Sequence, residues 1–450
     1  MTELNKISVE QAVWAGLALH RDGRLEESAK VFRNILDVVP DQPDAINFYG
    51  ILMHQLGDNE RAIELVSRAV ELEPDNPRMR SILGTMQLEL GRNAEAEQAF
   101  RKAIELDPEF ADAYYRLAEL FQRKKKSDEA QALLNKALKL NPRLGQAWLS
   151  LGSIHAARQE WGLAIEYLEK AVENSDKEAF QDDVTQVLAR VLTLADRAQE
   201  AENVLRNWLV RKPDDPIALH MLAAVTGDTI TSRASVQFVR ATFDQFAFSF
   251  DRVLANLEYA APSLVGECVK QLIGKPCGDM IVCDVGCGTG LVAEFLKPYA
   301  AELTGVDLSP GMLKKASQRG LYDELFEEEL TVFLNATGRR FDLITCVDAF
   351  IYFGALDEAL AACCKALKSG GRLCFTLEKN DSSSDERGYK LEHHGRFAHR
   401  QSHIVRLLLE TGFSNVRIEE VCLRLENKLP ATGMLVAAQK LDRVGERTAR

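Results

Sequence analysis

The sequence predicts an all-α solenoid followed by an α/β domain with a parallel sheet, and three observations carry that prediction. Pro40, Pro74, Pro108 and Pro142 recur at a spacing of 34 residues. From residue 280 onward, apolar runs alternate with helix-like segments, as parallel strands do with their crossover helices. The first of those runs, MIVCDV at 280–285, leads straight into glycines at alternate positions, 286, 288 and 290. Such a turn lets the backbone come close to a ligand where a side chain would intrude.

In the first region, one repeat position holds Gly16, Gly50, Gly84, Ala118 and Gly152, and another holds Ser28, Ala62, Ala96, Ala130 and Ala164. Small residues at both positions let paired antiparallel helices approach closely. Period and positions together resemble the tetratricopeptide repeat over about residues 9–215. The resemblance implies six repeats, a capping helix at 216–225, and a concave face for a protein or peptide partner. A plainer use is dimerisation or support of the next domain. The fifth repeat has the region of Asp176 where proline belongs, and Pro213 follows Pro142 by three residues more than two periods. An insertion near 174–180 is expected, with Leu188, Ala201 and Leu205 still marking the sixth repeat.

The stretch GDTITSRASVQFVRA at 226–240 breaks the periodicity and reads as a linker. The second domain is expected at 241–440, with a polar tail at 441–450. Its predicted elements are strand 280–285, helix 291–299, strand 302–307, helix 310–319 and a short segment at 321–330. Strand 341–348, helix 355–367, strand 371–378, helix 402–411 and two closing strand-like runs at 416–425 and 433–440 follow.

The glycine turn has neither the G-x-G-x-x-G spacing of dinucleotide sites nor the lysine of a Walker A loop. It resembles motif I of the class I S-adenosylmethionine methyltransferases, over roughly residues 240–440. The resemblance implies a Rossmann-like domain with antiparallel terminal strands and S-adenosylmethionine as cofactor. It places Asp284 near the methionine amino group and Gly286, Cys287, Gly288 and Gly290 against the methionine moiety. Asp307 would accept both ribose hydroxyls, Glu329 would face the adenine, and Asp348 would line the methionine and acceptor side. LKSGGRL at 367–373 matches the family turn with Ser369 in place of proline. FDQFAFSFD at 243–251 resembles the family's cover segment; Phe243 and Phe250 replace frequent tyrosines, so only apolar shielding carries over. Taken singly, each acid reads as well as a helix cap or a solvated loop.

The whole chain resembles a bacterial group of methyltransferases with N-terminal tetratricopeptide repeats, down to GYKLEHHGRFAH at 388–399 and LRLENKLPATGMLV at 423–436. Acceptor chemistry is sought in the first of these. His399 is the candidate base, because histidine titrates near neutrality, with Tyr389 and Arg396 as acceptor contacts and Arg396 anchoring any anionic group. His399 and His403 stand four apart without a carboxylate at ligand spacing, so no metal is expected. The polar loop at 380–388 is expected to order on substrate.

A net charge of −12 argues against nucleic acid as a partner, and RKKK at 123–126 reads as a solvated turn. No stretch approaches the ~20 apolar residues of a membrane span, and MTELNKISVEQ lacks a signal pattern, so a cytoplasmic protein is expected. The nine cysteines form no C-x-x-C pair, which leaves neither a disulfide framework nor a zinc site. The expectation is therefore an S-adenosylmethionine-dependent methyltransferase of unidentified acceptor, with protein, peptide, small-molecule and carrier-bound acceptors all open, its repeats recruiting partner or substrate. The alternative is a repeat scaffold with a weak or idle transferase.

Overall fold

The computed structural model describes residues 8–442 except 176, 228–231, 248–249, 382–386 and 427–428. Asp176, parts of the expected linker and cover segment, the centre of the 380–388 loop, and the polar tail beyond 442 therefore lie outside the described residues. The chain divides into two compact units, Met1–Val191 and Leu192–Arg450.

The first unit is built from helix pairs: α1 Val9–Arg21 and α2 Leu25–Val38, α3 Pro43–Gln55 and α4 Asn59–Leu72, α5 Pro77–Glu89 and α6 Asn93–Leu106. α7 Ala111–Arg123 with α8 Ser127–Leu140 and α9 Gly145–Ala157 with α10 Trp161–Glu173 complete the regular pairs. α3 and α5 start with proline at the first turn behind Gln42 and Asn76, whose side chains accept the orphan backbone N–H groups. The small repeat positions do what their size requires. A Cβ on Gly50 would lie 2.6 Å from Val66, and one on Gly84 2.8 Å from Phe100. Next comes α11 Glu178–Leu194, 17 residues long where α9 has 13, so the expected insertion is taken up in a longer helix.

The second unit begins within the last turn of α11, not at a 226–240 linker. α12 Ala198–Arg211 and α13 Pro216–Thr226 belong to it, as does α14 Val236–Phe246. Within the expected linker, the Ala234 N–H donates to the Tyr352 carbonyl at 2.8 Å, and the Gly354 N–H to the Ser232 carbonyl at 2.8 Å. The Gly, Thr and Ser content at 226–235 pointed to a loop, and the described residues between α13 and α14 form neither helix nor strand; beyond them, Ser235 caps α14 and Phe238 is buried. α15 Phe250–Asn256 and α16 Ala261–Ile273 lead into the sheet.

Strands β1 Met280–Val285, β2 Ala300–Asp307, β3 Glu324–Glu327, β4 Phe341–Cys346 and β5 Leu367–Lys379 lie parallel in the order β3-β2-β1-β4-β5. The near-continuous burial of β1 and β4 explains their apolar runs. Between them run α17 Ala293–Leu296, α18 Pro310–Arg319, α19 Leu330–Ala336 and α20 Asp357–Ala366. The helix expected at 291–299 is one short turn of α-helix followed by a 3-10 turn at Lys297–Tyr299, where Pro298 ends the α ladder. β6 Tyr389–Leu391 and β7 Phe397–His399 form a small hairpin absent from the predicted strands, and α21 Gln401–Thr411 follows. The closing pair, β8 Phe413–Glu426 and β9 Leu429–Lys440, is antiparallel, with β9 antiparallel to β5. β9 flanks Glu378 on one side and β7 on the other, so the small hairpin sits beyond the carboxyl end of β4.

Candidate cofactor and acceptor site

A cavity of about 250 Å³ opens at the carboxyl ends of β1, β2 and β4, the place where parallel sheets receive ligands. One end is the glycine turn. Gly286 and Gly288 adopt φ of 72° and 54°, the left-handed region that costs glycine nothing. They serve different needs: a Cβ on Gly286 would lie 2.3 Å from Ala349, whereas one on Gly288 would meet nothing within 4 Å. Gly288 therefore faces open space, and both residues line the cavity with Cys287. Burial pushes the Cys287 thiol well above its ordinary range, so it is a packing group and not a nucleophile. Gly290 does not line the cavity; its Cβ would strike Tyr322 at 2.9 Å.

Asp307 ends β2 and is tied to the turn. One oxygen accepts the Gly288 N–H at 2.8 Å and the other the Ser309 N–H at 2.9 Å. Burial raises its carboxyl even against those bonds. Asp284 is fully buried and accepts from the Tyr322 hydroxyl at 2.7 Å and the Thr345 hydroxyl at 2.9 Å. Desolvation pushes it up to about 6. Glu329 both caps α19, accepting the Val332 N–H at 2.9 Å, and lines the cavity, with Arg233 3.4 Å away. The cap and the site are thus the same residue.

Phe243 lines the cavity from α14, 5.9 Å from the Phe250 ring and 5.5 Å from Tyr352. This cover is tied to the loops beneath it. Asp244 accepts from the Ser309 hydroxyl, and Asp251 accepts from the Thr289 hydroxyl and pairs with Arg319 at 2.9 Å.

At the other end stands Asp348, a non-glycine residue at φ 53°. Its N–H donates to the Thr376 hydroxyl oxygen at 2.9 Å while that hydroxyl donates back to its carboxylate at 2.7 Å. Arg424 lies 3.4 Å from this carboxylate, and Tyr259 lines the same end of the cavity. Burial raises the Asp348 carboxyl, with Arg424 opposing. Arg396 lines the same end and donates to Glu378 at 2.6 Å; Arg424 bonds the same Glu378 oxygen. Burial alone would raise the Glu378 carboxyl, but Arg396, His394 and Arg424 hold it below its ordinary range.

Of the three expected acceptor residues, only Arg396 reaches the cavity. His399 is fully buried, its Nε2 3.1 Å from the Gly354 carbonyl and its Nδ1 without a partner among the described residues. Burial depresses it to about 4. Tyr389 packs on Gly354 and lies off the cavity too. Arg396 precedes β7 and reaches the cavity from the connection between β6 and β7, while His399 ends β7 in the core and Tyr389, paired directly with it, shares its face. A base role for His399 is therefore set aside. Among the described residues no group of three His, Cys, Asp or Glu is placed to hold a metal ion.

A methyltransferase-domain family model matches residues 283–375, and two tetratricopeptide-repeat models match 55–109 and 87–153. The chain carries tetratricopeptide repeats and a methyltransferase domain. Methyltransferase-like protein 27 of Homo sapiens is 34% identical over 151 residues, 31% of this chain and 58% of that protein. A ubiquinone biosynthesis O-methyltransferase of Alkalilimnicola ehrlichii is 33% identical over 127 residues, 26% of this chain and 48% of that protein. The chain spans about half the length of the curated relatives it matches. Among solved structures, magnesium protoporphyrin IX methyltransferase from Synechocystis covers 46% of this chain and 99% of its own at 18% identity, with a TM-score of 0.36.

At this cavity, the residues that sequence reasoning missed are Tyr259, Tyr352, Glu378 and Arg424. Glu378 and Arg396 are 18 positions apart and meet only because β7 pairs with the end of β5. Arg424 is aimed inward where the β8–β9 register shifts between Cys422 and Arg424, an irregularity with no sequence signature. A charged residue inside the apolar run VCLRL was the available signal.

Proposed function

We propose that the chain is an S-adenosylmethionine-dependent methyltransferase, with donor and acceptor bound at opposite ends of one cavity and the repeats binding a protein or peptide that brings or presents the acceptor. The observation that carries this reading is the pairing of Gly288, open to the cavity, with Asp307, whose carboxylate is fixed by the same turn. Each Asp307 oxygen spends one lone pair on a backbone N–H and keeps another, which suits a vicinal diol. The chain's residues therefore fit the cofactor: the backbone at 286–288 for the methionine portion, Asp307 for the ribose, and Leu308, Glu329 and Leu330 for the adenine. When bound, S-adenosylmethionine supplies a methyl group on a sulfonium.

The protein contributes alignment and exclusion of water. Phe243 and Phe250 shield the cavity, while the Asp244–Ser309 and Asp251–Thr289 ties hold that cover over the glycine turn. Arg396 and Arg424 set the electrostatics of the acceptor end. No helix among the described residues is long and apolar enough to cross a membrane. A cytoplasmic location and partner recruitment by the repeats remain part of this proposal. Titration calorimetry with S-adenosylmethionine tests the reading; no binding by the full chain would leave the repeat-scaffold alternative standing.

A further inference from the structure

The far end of the cavity is assembled from chain segments that nothing in the sequence groups together. The segment carrying Leu257 and Tyr259 is sewn to β8: the Leu425 N–H donates to the Leu257 carbonyl at 2.7 Å and the Ala260 N–H to the Leu423 carbonyl at 2.9 Å. This pairing brings Tyr259 to the cavity wall that Arg424 and Asp348 also line, with Arg424 3.4 Å from the Asp348 carboxylate. Around that polar floor the walls are apolar, with Phe250, Leu254, Leu257 and Pro262.

Three properties of this end restrict what it accepts. Its charges are balanced: Arg396 and Arg424 face Glu378 and Asp348, so an acceptor with a charged body would carry an unpaired charge out of water. Asp348 is locked toward the cavity by the reciprocal Thr376 bonds and a left-handed backbone, and strain of this kind at a cavity wall points to use. Two guanidinium groups beside it oppose an ammonium and favour an oxygen that is gaining negative charge. A thiol ionises readily without help, whereas a hydroxyl needs a base at hand.

Building on the methyl-transfer reading, we infer that the acceptor is a neutral, apolar compound bearing a hydroxyl, and that Asp348, held by Thr376, takes the proton of that hydroxyl. A lone pair of the acceptor oxygen forms the new O–C bond as the S–C bond of the methylsulfonium donor breaks and its electron pair returns to sulfur. The O–H proton passes to a carboxylate oxygen of Asp348. One positive and one negative charge are discharged together, and Arg424 keeps Glu378 as its partner.

The test uses the full chain and four probes with one apolar body: 4-ethylphenol, 4-ethylthiophenol, 4-ethylbenzylamine and 4-ethylbenzoate. By calorimetry the phenol binds at least about tenfold more tightly than the benzylamine or the benzoate, because each of those buries an unpaired charge. With methyl-labelled S-adenosylmethionine, label passes to the phenol in preference to the other three. At saturating S-adenosylmethionine, Asp348→Asn loses about 100-fold or more in that transfer, the worth of a general base. Thr376→Val removes the hydroxyl that donates to the ionised carboxylate and moves the acid limb of the rate profile to higher pH, with Arg424, Arg396 and Glu378 as the other charged groups facing Asp348. Preference for the amine, thiol or carboxylate, absence of transfer to the phenol by protein that binds S-adenosylmethionine, or wild-type transfer by Asp348→Asn would each overturn the inference. If Asp348→Asn does not fold, an unmoved acid limb in Thr376→Val overturns it. Loss of S-adenosylmethionine binding by the wild-type chain is a separate outcome and sinks the methyl-transfer reading itself.

Discussion

Replacing Asp284 by asparagine isolates the cost of burying a carboxylate at the end of β1. The Asp284 carboxyl rises from 3.8 to about 6 on folding, because complete desolvation outweighs the hydrogen bonds from Tyr322 and Thr345. A shift of about two units at 1.36 kcal/mol each is worth about 3 kcal/mol. The sign follows from the direction. The folded state holds the proton more tightly than the unfolded chain, so this group's contribution is largest below 3.8, falls as pH rises toward about 6, and is level above that. Asparagine carries no charge at any pH and removes the slope. Denaturant unfolding of the second unit's transition, run on both proteins from about pH 4 to about pH 7, reads the difference. The variant should gain about 3 kcal/mol relative to wild type across that range. Stability curves that run parallel would refute the assignment of the strain to Asp284. In the wild type, a cation bound beside this group stabilises its ionised form, so cofactor binding near pH 6 should release a proton, visible as a binding enthalpy that changes with buffer.

Asp307→Asn replaces one carboxylate oxygen with an amide nitrogen that cannot accept from Gly288 or Ser309; S-adenosylmethionine affinity should fall by about 10- to 100-fold, the worth of a charge-assisted hydrogen bond, as read by calorimetry. Gly286→Ala meets both a positive φ and the Ala349 side chain, and should cost about 3 kcal/mol or more in thermal unfolding. Gly288→Ala meets only the φ penalty of about 1–2 kcal/mol, so it should unfold closer to wild type yet bind the cofactor more weakly. His399→Ala empties a buried site and should destabilise by about 2–4 kcal/mol while leaving cofactor affinity unchanged. Equal losses of affinity in His399→Ala and Asp307→Asn would contradict their separation here.

What the sequence disclosed follows from which interactions are local. The repeat period and its small positions concern neighbouring helices, so spacing alone announces them, and the packing of Gly50 on Val66 and Gly84 on Phe100 is the physical reason. The glycine turn and Asp307 are likewise close in chain and in space, joined by the Gly288 N–H. The acceptor end is different in kind. Arg424 owes its direction to a register shift, Tyr259 to pairing of its segment with β8, and Glu378 to a hairpin that docks on the end of β5. No pattern over a few residues records those events. The histidine cluster misled for a related reason: counting residues in 393–403 does not show where the β6–β7 hairpin docks, and that docking leaves Arg396, ahead of β7, on the cavity and His399, at the end of β7, in the core. The 226–240 stretch erred the other way, its polar composition hiding an α14 whose Phe238 is held by stacking on His220 at 3.9 Å between ring centres.

Titration of the full-length chain with S-adenosylmethionine tests the central claim most directly. A saturable, single-site heat that S-adenosylhomocysteine competes away, and that Asp307→Ala abolishes, is the predicted result; a chain that gives no such heat, or an Asp307→Ala variant that binds as the wild type does, would contradict it.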